Sequence, residues 1–312
     1  MKVFVCDPIW PDLITSQNEK LLDQANIEII LKTDITPLLE FTELFEGSEE
    51  RILAINPDYV DWSLPADSFK DIPNLKAIIA QATSYGWIDT ACAAEQAIPV
   101  VNMRNYSAGA VAEWAIMMMF NVARKIPLLI KNGFPLNFSS DFQSYQGINL
   151  EGKKAGIIGL GNIGSAIAER CHGLGMDVFY WSNSPKQNNY NNCDLKTLFQ
   201  ECDVIFPAMA DNGKTKEIIT DEMIQSMKSE AMIISIVHNL YNHEMVISKV
   251  LEGSLYGYGF EDKPESFAKH KGNIWAAPTY AWCTNTSLRN LMDSFVQAIV
   301  DAAQGRYPNK VN

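Results

Sequence analysis

The chain reads as an α/β protein on mostly parallel sheets, and three observations predict this. Short apolar runs alternate with helical segments from end to end, which is the pattern of repeated strand–helix–strand units. At 312 residues the chain is long enough for two domains of ~100–200 residues each. The run 155–158 leads directly into Gly159-Leu-Gly161-Asn162-Ile163-Gly164, with helical sequence over 165–174 behind it. That order suits a dinucleotide. Gly159 permits the tight turn, Gly161 lets the backbone approach a pyrophosphate, and Gly164 lets helix and strand pack closely. The phosphates then meet a helix N-terminus, where N–H groups and the dipole favour anions.

In chain order, strand 3–6 is followed by helix 12–24 and strand 27–31, then by helix 36–45 and strand 52–55. Strand 75–80 ends in the turn-rich residues 81–86, and helix 89–95 precedes strand 99–102. An apolar stretch predicts a buried helix over 107–125, and residues 132–149, rich in Asn, Ser, Phe and Gly, read as a loop or crossover between domains. The second unit begins near Leu150. Strand 177–181 follows the glycine turn, and the Asn-rich residues 182–192 read as a surface loop by the cofactor adenosine. Helix 194–201, strand 203–206, helix 221–227, strand 232–236, helix 243–252 and strands 255–260 and 274–277 complete a strand set fit for a doubly wound sheet. A last helix, 287–303, carries Leu288, Leu291, Met292, Phe295 and Ile299 on one face.

Composition excludes several classes. The formal charge of −12 argues against nucleic acid and anionic membrane as partners. The most apolar long segment, 108–123, is shorter than the ~20 residues of a membrane span and contains Glu113. The N-terminus starts directly as a strand and lacks a signal-peptide layout. Six scattered cysteines form no C-x-x-C pair, so free thiols and a cytoplasmic location are expected. His238 and His243 are five apart, poor spacing for one helical face, so no metal is expected.

Three stretches resemble the D-isomer-specific 2-hydroxyacid dehydrogenase family: Ala82-Thr-Ser-Tyr-Gly-Trp-Ile-Asp89, Ala110-Val-Ala-Glu113-Trp followed by Arg124, and Glu151-Gly-Lys-Lys-Ala-Gly-Ile-Ile-Gly-Leu-Gly-Asn-Ile-Gly164. The likeness covers nearly the whole chain. It implies two doubly wound parallel-sheet domains, flavodoxin-like and Rossmann, with a nicotinamide cofactor in the cleft between them. Residues 1–102 with 285–312 would form the substrate domain and 103–284 the dinucleotide domain. Helix 107–125 would bridge them and carry a homodimer interface. The resemblance places the substrate carboxylate on the loop at Thr83, Ser84 and Tyr85. It gives Gly159, Gly161, Asn162, Ile163, Gly164, Met209, Ile236, Val237 and Glu261 to the cofactor, Glu261 matching a family Asp near the nicotinamide.

The departures bear on chemistry. Where the family has its carboxylate-clamping Arg, in Asn-x-x-Arg-Gly, this chain has Ser235-Ile-Val-His238-Asn239. Where the family has its catalytic His after a Pro, this chain has Pro278-Thr279. The family's acidic-Pro pair is represented by the shorter Glu261-Asp262-Lys263-Pro264. Arg gives bidentate recognition that His cannot reproduce. His238 is therefore read either as the acid/base, since imidazole titrates near neutral pH, or as a hydrogen-bonding residue of the cleft. Thr279 either orients a carbonyl or bonds to backbone. Arg104, after strand 99–102, either replaces the missing cation or is a surface residue. A free phenol titrates at ~10, so a tyrosine such as Tyr280 needs a cationic neighbour to act as acid. Tyr85, Trp87, Tyr258 and Trp282 form either an aromatic pocket or core. Ser84 stands where the family loop has a Gly, which narrows the backbone geometry.

At the end of strand 177–181 an Asp or Glu would select NAD by repelling a 2′-phosphate. This chain has Ser182, Asn183 and, further on, Lys186, which favours NADP while leaving NAD open. Two functions remain. The first is an NAD(P)-dependent oxidoreductase with a rebuilt site, acting on a small hydroxy or carbonyl compound. The second is a dinucleotide-binding sensor or regulatory protein without catalysis.

Overall fold

A computed structural model describes residues 1–134, 143–183, 189–209, 215, 218–237, 240–263 and 266–312. The chain divides into two compact units, Met1–Ser107 with Thr284–Asn312, and Ala108–Cys283.

The first unit is a five-stranded parallel sheet of order β2-β1-β3-β4-β5, with β1 Lys2–Cys6, β2 Glu28–Lys32, β3 Arg51–Ile55, β4 Leu75–Ala80 and β5 Val100–Asn102. Helices α1 Trp10–Leu13, α2 Ser16–Gln24, α3 Thr42–Phe45 and α4 Thr90–Glu95 belong to it. Alternation along the strands makes two cores. Val3, Val5, Ile52, Ala54, Ala77 and Ile79 pack on one face against Met292, Phe295, Val296 and Ile299 of the C-terminal helix Asn285–Ala303. Phe4, Leu53, Ile55, Ile78 and Ala80 face Leu38, Phe41, Leu44 and Phe69. β1 lies between β2 and β3, so successive connections run in opposite directions at its C-terminal end. Such a switch point opens a crevice in doubly wound sheets.

The second unit is a seven-stranded parallel sheet of order β12-β11-β10-β9-β6-β7-β8. Its strands are β6 Lys154–Ile158, β7 Asp177–Trp181, β8 Asn191–Asn192, β9 Val204–Pro207, β10 Met232–Ser235, β11 Gly257–Asp262 and β12 Ile274–Pro278. From the central β6 the chain winds outward first to one side and then to the other, which is the Rossmann arrangement. Helices α5 Ala108–Ala123, α6 Ile126–Lys131, α7 Asn162–Gly173, α8 Leu195–Glu201, α9 Asp221–Gln225, α10 His243–Leu251 and α11 Ser266–Lys269 cover it, and the C-terminal helix Asn285–Ala303 of the first unit is α12.

Several boundaries differ from the sequence reading. Helix 12–24 is two helices, broken at Ile14–Thr15. Thr15 caps α2 by accepting from the Asn18 N–H at 3.2 Å while the Asn18 side chain accepts from the Thr15 N–H at 3.0 Å. Helix 36–45 is a 3₁₀ turn, Leu38–Glu40, followed by the single turn of α3; Phe41 between them has ψ of 73°, outside the helical region. Helix 107–125 stops at Ala123. Lys125 turns left-handed at φ 53°, and α6 starts with Pro127 in its first turn, where a missing N–H is tolerated. The glycine-turn helix begins at Asn162 rather than 165. β11 continues to Asp262, so Glu261 lies within a strand. The pair β8 and the helix α11 carry no periodicity long enough to read from sequence. Among the described residues, no helix is long and apolar enough to cross a membrane, and no cluster of three His, Cys, Asp or Glu could hold a metal ion.

Candidate functional site

The second unit builds its site on the turn after β6. Gly159 adopts φ +96°, a conformation side chains disfavour, and its N–H donates to Trp181 O of β7 at 2.8 Å. A Cβ on Gly164 would overlap the Gly159 carbonyl oxygen, so α7 can start this close to β6 only with glycine there. Gly161 holds the N-cap position of α7, no side chain caps that helix, and a Cβ on Gly161 would meet nothing within 4 Å. The open surface at this helix start is what a pyrophosphate needs, and the residues fit the group. Asn162 is exposed on the first turn and Ile163 packs partly into the core. Met209, 8% exposed, lies against Gly159. Ser182 is half-buried and Asn183 exposed after β7, while Lys186 lies outside the described residues.

At the C-terminal end of β10, Ile236 and Val237 are half-buried, and the Ser235 hydroxyl donates to Val237 O at 2.8 Å. His238 lies outside the described residues. One strand over, Glu261 is 7% exposed, and its Oε1 accepts from the Ala281 N–H at 3.0 Å. β11 pairs with β12 so that Glu261 sits opposite Ala277, which aims the carboxyl at the turn 279–281. Burial raises its pKa to about 7, opposed by the N–H groups of Ala281 and Tyr280. Among the described residues it has no ion-pair partner. The fold thus brings Glu261 to the Thr279 turn. Thr279 itself is exposed, as are Tyr280 and Trp282. Glu261 and Val237 border one cavity of about 350 Å³. Tyr258 also lines it but is 1% exposed, its hydroxyl engaged with Tyr241 Oη at 2.6 Å and His243 Nδ1 at 2.8 Å.

In the first unit, Thr83, Ser84 and Tyr85 are exposed on the loop after β4. Asn102 at the end of β5, 3% exposed, links that loop to Arg104: its Nδ2 donates to Thr83 O at 2.6 Å and its Oδ1 accepts from Arg104 Nε at 3.1 Å. The sequence reading missed Asn102. It also missed a buried cluster at the ends of β1, β3 and β4. There Asp7 accepts from Ile9 N at 3.0 Å, Asn56 Nδ2 at 3.0 Å and Gln81 Nε2 at 2.8 Å, and burial raises its pKa. The available signal was one polar residue directly after each of three apolar strands.

Comparison with known proteins agrees with the fold. The family model "D-isomer specific 2-hydroxyacid dehydrogenase, NAD binding domain" matches residues 116–280, more than half of the chain. A glycerate dehydrogenase of Methylorubrum extorquens is 29% identical over 286 residues, covering 87% of this chain and 88% of its own. A protein of Staphylococcus aureus named as a 2-hydroxyacid dehydrogenase is 30% identical over 262 residues, 78% of this chain and 80% of its own. Among solved structures, a glyoxylate reductase from Paecilomyes thermophila has TM-score 0.82 at 17% identity, covering 100% of this chain and 98% of that one. An acyclic imino acid reductase in complex with NADPH and D-Arg has TM-score 0.81 at 22% identity, covering 100% of both. The chain belongs to the D-isomer specific 2-hydroxyacid dehydrogenase family and is a nicotinamide-dependent dehydrogenase.

Proposed function

We propose that this chain interconverts a small 2-oxo and 2-hydroxy acid with a rebuilt proton-handling site, in which Glu261 does the work the family gives to His. One observation carries the reading: a carboxyl buried at the end of β11, raised to about 7 and bordering a cavity. A general acid works best with a pKa near the operating pH. The nicotinamide supplies or takes the hydride when bound. In reduction, Glu261 would give its proton to the carbonyl oxygen and be left as a carboxylate that solvent reprotonates. Oxidation runs the same steps backwards. The Ala281 N–H holds the carboxyl in place in both forms. In the family this chain belongs to, the substrate carboxylate goes to the loop matched by Thr83 and Ser84, and within the first unit Asn102 orders that loop by bonding both Thr83 O and Arg104 Nε. The absence of a carboxylate at Ser182 and Asn183 favours NADP, with NAD as the alternative, and the NADPH-bound imino acid reductase supports the phosphate-bearing cofactor.

A second reading, dinucleotide sensing without turnover, is favoured by Thr279, which puts no ionisable side chain where the family has its His. One experiment separates the two. NADPH and NADH binding to the protein is measured by fluorescence. A panel of 2-oxo acids, aldehydes and ketones is then followed at the absorbance of the reduced cofactor. The dehydrogenase reading expects turnover whose kcat/KM falls as pH rises through about 7. It also expects Glu261→Gln to lower kcat at least ~100-fold with cofactor binding retained. Tight binding with no turnover across the panel leaves the sensor reading.

A further inference from the structure

The first unit carries a rigid aromatic surface on the loop that follows β3. Trp62 is 49% exposed, although a large indole ordinarily contributes to the core. Its position is held at a cost in backbone strain: Asp61 and Trp62 are consecutive non-glycine residues in the left-handed region, at φ 48° and 55°. Its indole N–H donates to Asp58 Oδ1 at 2.8 Å, which orients the ring. Trp87 meets it edge-to-face, with centroids 6.3 Å apart and planes at 70°. The two loops are stitched together beneath the rings. Leu64 N donates to Trp87 O at 2.7 Å, Asp89 N donates to Leu64 O at 3.1 Å, and the Leu64 and Ile88 side chains are buried.

The chemistry of this surface is selective. Both indole N–H groups are engaged by neighbouring residues of their own loops, that of Trp62 by Asp58 Oδ1 and that of Trp87 by Ser84 O at 2.8 Å, so ring carbons are what the pair presents. Such a surface recognises flat, apolar groups by stacking and edge contacts, and gives nothing to a carboxylate, a phosphate or a cluster of hydroxyls. The Trp87–Ser84 bond also fixes its location. It hangs from Ser84, one of the two residues to which the proposed function assigns the substrate carboxylate. A strained, preorganised apolar surface one turn from a carboxylate anchor is the arrangement of a side-chain specificity site.

We propose that Trp62 and Trp87 form a platform for the flat, apolar side chain of the substrate acid, so that the preferred substrates are aryl- or indolyl-substituted 2-oxo and 2-hydroxy acids rather than the smallest members of the class. This rests on the 2-oxo acid reading above, and the test keeps the two apart by measuring binding and turnover separately.

Phenylpyruvate and pyruvate are the probes, used on the full chain with oxidised cofactor for binding and reduced cofactor for turnover. Dissociation constants come from calorimetry or saturation-transfer NMR, and KM from cofactor absorbance. Phenylpyruvate is expected to bind at least ~10-fold tighter than pyruvate. Trp62→Gly accepts φ 55° without strain, so the loop trace is retained and Tm stays within a few degrees. In that variant the preference falls to within ~2-fold through loss of phenylpyruvate affinity alone, with pyruvate binding unchanged. Trp62→Phe, which restores a ring, recovers most of the preference. Equal affinity for the two acids, a preference that survives Trp62→Gly, or binding of neither acid overturns the proposal. If the preference is found and abolished by Trp62→Gly but neither acid is reduced, the platform stands and the dehydrogenase reading of the substrate fails. If Trp62 is instead the seat of a second copy of the chain, sedimentation shows a dimer that Trp62→Gly dissociates without altering acid affinity, and that outcome also overturns it.

Discussion

Glu261 shows how one side chain couples stability to chemistry. Its folded pKa, about 7, lies above its ordinary value of 4.5, so the folded chain holds this proton more tightly than the unfolded chain does. The stabilisation is complete below about 4.5 and is lost as pH rises to about 7, a span worth ~3 kcal/mol. Glu261→Gln removes the titration. Its Tm is therefore expected to fall less than that of the parent protein between those two pH values, with the curves converging in acid. Parallel Tm-against-pH curves for the two proteins would show that Glu261 is not the raised group. Asp7, also raised by burial, acts in the same direction. Neither environment was legible in the sequence. Glu261 was visible as a residue matching a family acid, but its environment depends on β11 extending to Asp262 and on the Ala281 N–H arriving from the turn after β12.

At the scale of the element, the β6–turn–α7 unit was the most legible part of the chain, because its constraints are local. The glycines differ in what they tolerate. Gly161 has φ −76° and open space around it, so Gly161→Ala is expected to leave the Tm of the cofactor-free protein nearly unchanged. The added methyl stands where the pyrophosphate approaches, so NADPH affinity should drop at least ~10-fold. Gly164→Ala is expected to lower Tm by itself, since its Cβ collides with the Gly159 carbonyl oxygen. Equal Tm for the two variants would contradict this division of roles, and melting curves with and without NADPH measure it. Helices 12–24 and 107–125 were legible as helical but not as broken, because apolar periodicity runs on through Thr15 and Lys125. A cap at Thr15 and a left-handed turn at Lys125 are decided by a few hydrogen bonds and by packing, which periodicity does not record.

At the scale of the whole molecule, the first unit is assembled from two distant segments. Helix α12 buries Met292, Phe295, Val296 and Ile299 completely against the sheet of residues 1–107. A chain ending at Cys283 uncovers that face, and losing even one such Phe costs ~3–5 kcal/mol. Hydrogen exchange is expected to show lost protection in β1 to β5 and retained protection in β6 to β12. Protection retained in β1, β3 and β4 would mean that α12 is dispensable to this core. The sequence by itself determined the α/β class, the glycine turn and the family, because strand–helix alternation and G-x-G-x-x-G are patterns of neighbours along the chain. Only the tertiary structure decided the carboxyl of Glu261, the Asn102 link between Thr83 and Arg104 and the Trp62–Trp87 pair. Each depends on groups that lie apart in sequence and meet only at strand ends and loops, and burial, which sets both pKa and exposure, belongs to the assembled sheet.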